Sequence, residues 1–131
     1  MKKFLSCVLA LTIICTMAGF AGEILEFESK KGMYSPKTKT KQSSTGTAGS
    51  VKIEENVDGH SMYYQIHKAN GGAASEYKNT TSTGTYTLKY DNDGNGESLG
   101  RNNYEYRLRV AHRSQCKCTS GCATVTVDFT P

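Results

Sequence analysis

Tryptophan is absent from the 131 residues, and proline occurs only twice. Composition excludes collagen-like, coiled-coil and Pro-rich architectures. Charge of one sign is also lacking. Sixteen Lys and Arg against 12 Asp and Glu leave a formal +4, too small an excess to argue for nucleic acid. No complete catalytic motif is present, so catalysis is not expected. The length fits one folded domain.

What is present begins with an export signal. Met1, Lys2 and Lys3 give a positive start, and Phe4 to Phe20 carries no charge. Gly19 and Ala21 put small residues at the −3 and −1 positions of a cut after Ala21. That is the layout of a secretory signal peptide. The apolar run is short for a bilayer span of ~20 residues. A lipid anchor needs a small residue directly before a cysteine, but Ile14 precedes Cys15 and Cys7 comes too early. Residues 1–21 therefore read as a cleaved leader. The remaining protein reads as secreted or cell-envelope, with no transmembrane span.

The mature chain of 110 residues is nearly neutral, with 14 basic and 12 acidic side chains. Ile, Leu, Val and Phe number only 14 in it, whereas all eight tyrosines belong to it. The expected core is thin and rich in tyrosine. Residues 22–50 read as an N-terminal arm that could supply a first strand at Ile24 to Phe27, followed by a polar Ser/Thr/Lys-rich loop. Ser35 to Ser50 holds one apolar residue, Ala48, too little to offset its ordering entropy.

From 51 to 131 the apolar period is two. Val51, Ile53 and Val57 form one set, and Met62, Tyr64 and Ile66 another. Tyr86, Leu88 and Tyr90 follow, then Tyr104, Tyr106, Leu108 and Val110, then Ala123, Val125, Val127 and Phe129. Each alternates with polar residues, as a half-buried strand does. Asp58-Gly59, Asn70-Gly71-Gly72, Asp91 to Gly96 and Thr119-Ser120-Gly121 mark turns between them. The expectation is all-β: a small antiparallel β-sandwich or barrel of about five to seven strands.

Cys116, Cys118 and Cys122 lie between the last two expected strands. In an exported protein the default is a disulfide. Cys116–Cys122 or Cys118–Cys122 could close a hairpin loop, whereas Cys116–Cys118 would be strained. Three is an odd number, so the spare thiol offers a covalent dimer. The alternative is metal: His112 with the three cysteines supplies four ligands within eleven residues, enough in number for zinc or thiolate-bound copper. The paired knuckles usual in structural zinc sites are missing.

Asp91, Asp93 and Asn95, with Gly96, match the opening of a calcium loop. Asn102 stands where the bidentate Glu is required. A plain Asp/Asn/Gly turn is the simpler reading, and weak calcium binding the alternative. Lys37, Lys39 and Lys41 alternate with Thr38 and Thr40, giving either a basic contact face or an edge strand guarded by lysines. Tyr63 and Tyr64 are neighbours, so Tyr63 should face out and could meet a partner or a sugar. Glu54 and Glu55 should point to opposite faces of a strand, which disfavours an acid/base pair.

The reading that follows is a small exported β-domain that binds rather than catalyses. Its partner would be an extracellular protein, a glycan or another cell-surface ligand. Strand edges and the loops at Asn70 to Ser75 and Asp91 to Asn102 are the expected contact sites. The rivals are a bacteriocin-like antagonist and an extracellular metal-binding protein built on His112, Cys116, Cys118 and Cys122.

Overall fold

The computed structural model describes residues 22–27, 32–42, 46–57, 59–112 and 123–131. The fold is all-β. Nine strands are formed among these residues: β1 (Glu23–Phe27), β2 (Met33–Tyr34), β3 (Lys39–Thr40), β4 (Ala48–Asn56), β5 (Met62–Lys68), β6 (Ala73–Thr80), β7 (Gly84–Lys89), β8 (Glu105–His112) and β9 (Ala123–Thr130). β2 and β3 are two-residue pieces. The remaining seven match the expected count.

The strands make two antiparallel sheets. The first has the order β1-β9-β4-β7 and the second β2-β8-β5-β6, with β3 also paired to β8. Period-two alternation decides which side of each strand is inside. Val51, Ile53, Leu88, Val125, Val127 and Phe129 of the first sheet are buried. They face Met62, Tyr64, Ile66, Tyr106, Leu108 and Val110 of the second, all fully buried. The result is a sandwich whose core is partly phenolic.

Phenols in a core need partners for their hydroxyls. Tyr106 has them: its hydroxyl donates to the Leu99 carbonyl at 2.7 Å and accepts the Arg101 N–H at 2.8 Å. Tyr64 has none among the described residues, where its buried hydroxyl makes no hydrogen bond. Burial pushes the Tyr64 and Tyr90 hydroxyls far above the usual phenol range. The Tyr90 ring also receives the backbone of Gly100, where a β-carbon would come within 2.1 Å of the ring. No other residue type fits that approach without displacing the ring.

Residues 22–50 do more than extend an arm. β1 lies along β9, β2 and β3 lie along β8, and Ala48 already belongs to β4. Lys39 ties the layers together. β3 sits on the second sheet, yet its Lys39 ammonium donates to the Asp128 carboxylate and, at 2.7 Å, to the Phe129 carbonyl of β9 in the first. Lys41, expected on a basic surface, is buried at 1% exposure with its ammonium 5.9 Å from the centre of the Tyr90 ring. A lysine can bury its long stem and keep its charge over an aromatic face.

Other expectations are corrected too. Asn70 to Ser75 is not simply a contact loop: β6 starts at Ala73 and Ser75 is fully buried. The Ser75 hydroxyl accepts the Ile66 N–H at 3.0 Å, filling a register shift between Gln65 and His67. Val57 and Tyr104, expected inward, are exposed, because they lie just beyond the ends of β4 and β8. β8 and β9 belong to different sheets, so these two strands do not form the expected hairpin. No helix among the described residues is long and apolar enough to cross a membrane.

The two phenols give a paired test by denaturant unfolding. Tyr106→Phe strands the Arg101 N–H and should cost about 1–2 kcal/mol. Tyr64→Phe removes a hydroxyl that has no partner and should be neutral or stabilising.

Candidate functional site

The outward face of the second sheet collects the polar and aromatic residues that alternate with its core. Direct cross-strand partners share a face. Tyr34, Arg109, Gln65 and Tyr77 therefore form one row across β2, β8, β5 and β6. His67 and Arg107 form the next row on one side, and Tyr63 stands on the other, opposite Ala111 and Asn79.

Hydrogen bonds order the middle of this face. The Gln65 amide nitrogen donates to the Ser75 carbonyl at 2.8 Å, which turns its oxygen toward His67. That oxygen lies 3.0 Å from His67 Nε2, so Nε2 carries the proton. His67 Nδ1 is then the acceptor facing the Tyr34 hydroxyl at 3.4 Å. Burial holds the His67 pKa below its ordinary value, and the neighbouring Arg109 and Arg107 guanidiniums lower it further.

The Arg107 guanidinium lies 3.6 Å from the centre of the Tyr34 ring. Such stacking holds a guanidinium flat while leaving its edge to bond anions. Arg109 is backed by Gly32, where a β-carbon would fall 2.7 Å from the guanidinium. Neither arginine has a carboxylate partner among the described residues. Tyr63 and Tyr77 pack edge to face with centroids 5.1 Å apart, and Tyr77 is 62% exposed. The face therefore presents two guanidiniums that have no paired carboxylate among the described residues, with phenol rings beside them. Its chemistry suits a planar anion such as a carboxylate, with apolar ring surface beside it.

Tyr63 is the single residue of this face that sequence reasoning singled out. The others were readable as the wet positions of β5 and β8, but which of them become neighbours depends on strand pairing, which no local pattern encodes. The three lysines do not share a surface: Lys37 is exposed, Lys39 reaches Asp128 and Lys41 is buried. Both Asp93 oxygens are engaged. Oδ1 accepts the Asn95 and Glu97 N–H groups at 2.8 and 3.0 Å, and Oδ2 pairs with Arg101 at 3.0 Å. The Glu97 and Asn95 amides, aided by Arg101, hold the Asp93 carboxyl below the usual range. A positive φ of 80° at Gly96 completes the tip. A calcium ion would have to displace these bonds to reach Asp93, while Asp91 and Asn95 are exposed.

Cys116, Cys118 and Cys122 lie outside the described residues. His112 is buried at the end of β8, its ring 4.7 Å from that of His60. Among the described residues no group of three or more His, Cys, Asp or Glu side chains is placed to hold a metal ion. Comparison with protein families, curated proteins and solved structures returns no match to this chain.

The electrostatics of the face are testable by NMR titration of the imidazole. His67 should titrate below 6.5, its ordinary value, and Arg109→Gln should raise that midpoint. The unfolded chain takes up the proton first, so the stability tied to neutral His67 is full above about 6.5 and lost as pH falls below it. His67→Gln should flatten that part of the pH–stability curve.

Proposed function

We propose that this protein is an exported binding module that takes an acidic cell-surface glycan on the outer face of its second sheet. One observation carries the reading: Arg107 and Arg109 stand on that face with no carboxylate paired to either among the described residues. Leaving two cations uncompensated costs self-repulsion, which an anionic ligand relieves. The exposed Tyr77 ring and its neighbour Tyr63 add flat apolar surface of the kind that stacks on sugar rings. The export reading of residues 1–21 places such a ligand within reach. The module works by contact, with no turnover and no cofactor.

Binding to immobilised glycans bearing uronic acid or phosphate groups, against neutral glycans of equal length, tests this. The acidic series should bind and the neutral series should not. Arg109→Ala should weaken binding about tenfold or more, as expected for a hydrogen bond to a charged group. Raising salt from 50 to 500 mM should weaken binding further, because exposed charge pairs are screened (~10 Å Debye length at 0.1 M). Equal binding to both series would remove the proposal.

A further inference from the structure

A second feature lies on the first sheet, away from the arginine face. The pairing of β4 with β9 shifts register between Ile53 and Glu55, so Glu54 is the extra residue of a β-bulge. Bulges re-aim the side chain that they insert. Glu54 is indeed not sent to the solvent: its side chain is only 8% exposed. One carboxylate oxygen pairs with Lys52 at 3.2 Å. The other, Oε2, is buried and has no hydrogen-bond partner among the described residues. A half-paired buried carboxylate is costly and calls for a cation.

The residue beside it is Gly22. A substituent at the β-carbon position of Gly22 would sit 2.7 Å from Glu54 Oε2 and 3.2 Å from the Val127 carbonyl oxygen. For carbon the first distance is a clash. For nitrogen both are hydrogen-bond lengths. Rotation about the Cα–C bond of a chain-terminal glycine carries its amino nitrogen onto that position, because the N–Cα bond, ~1.46 Å, is close to a Cα–Cβ bond in length. The Thr126 methyl at 2.9 Å needs to yield only a few tenths of an ångström. A surface depression of about 450 Å³, lined by Gly22, Ile24, Glu54, Glu55 and Thr126, opens alongside and gives the group room to turn.

The geometry points to Glu54 as the receptor for the protein's own processed N-terminus. Hydrolysis of the Ala21–Gly22 amide by a leader peptidase adds one water, leaving a carboxylate on Ala21 and an ammonium on Gly22. That ammonium docks on Glu54 Oε2 and the Val127 carbonyl, completing the ion pair and locking β1 onto β9. Before the cut the same nitrogen is an uncharged amide with one hydrogen, and cannot do so. Removal of the leader is thus a step of folding as well as of export. The inference rests on the leader reading and is independent of the arginine face.

Two measurements separate its parts. Mass spectrometry of the exported protein should show a chain beginning at Gly22; another start would overturn the cut site. A chain made directly with Gly22 as its first residue tests the docking by itself. Its α-amine should titrate at least one pH unit above the usual ~7.7–8.0, and its acylation near neutral pH should be slowed about tenfold. Glu54→Gln should return both to ordinary values. Retaining Ala21 should lower the melting temperature of the Glu54 chain and leave that of the Glu54→Gln chain unchanged. An α-amine with ordinary titration and reactivity, or an Ala21 penalty equal in both backgrounds, would overturn the docking.

Discussion

Two sheets can stay together only if something fills the gap between them, and this chain has few branched apolar residues with which to fill it. Tyr64, Tyr90 and Tyr106 take that place. A tyrosine brings a large apolar ring and one hydroxyl that must be accommodated. Tyr106 turns this obligation into structure, because its hydroxyl organises the segment from Leu99 to Arg101 that precedes β8. The close seat of Gly100 against the Tyr90 ring follows from the same need. The loop between β7 and β8 is ordered from below by the core, and at its tip by the Asp93 carboxylate.

The sheets are also joined by polar contacts that cross the gap at its margin. Lys39 spans from β3 to β9, and Ser75 pairs with Tyr90 as an isolated bridge between the β6 and β7 regions. With a small core, such margin contacts hold the relative position of the layers more firmly than burial alone would. The two register shifts act differently. The one in β5–β6 is plugged by the Ser75 hydroxyl, so its backbone is satisfied locally. The one in β4–β9 holds a largely covered carboxylate at the edge of a surface depression. A plugged bulge maintains a strand, whereas a bulge that buries charge calls for a partner.

Much of this was legible from alternation. Val51, Ile53, Met62, Tyr64, Ile66, Leu88, Tyr106, Leu108, Val110, Val125, Val127 and Phe129 all face inward as their spacing implies. β6 was missed because Ala-Ala-Ser-Glu-Tyr-Lys-Asn-Thr has no apolar alternation of its own; it is a strand because β5 offers it an edge. The segment from Ser35 to Lys41 was misjudged because lysine counts as polar by composition, yet the Lys41 stem is apolar and long enough to enter the core. The arginine face was invisible for another reason. His67 and Arg107 are 40 positions apart in sequence and meet only through the pairing of β5 with β8. The sequence also put Glu54 and Glu55 on opposite faces, whereas the bulge leaves both lining one depression.

β1 and β9 are neighbours running in opposite directions, with Glu23 opposite Val127 and Phe27 opposite Ala123. The chain therefore enters β1 and leaves β9 at the same pole of the first sheet. Tension applied between Gly22 and Pro131 would load the β1–β9 ladder from one end, opening its hydrogen bonds in succession rather than all at once. A ladder loaded in that way resists little force, so β1 would peel away while the remaining strands still stood. The β1–β9 pair is therefore poorly suited to bearing a pull along the chain.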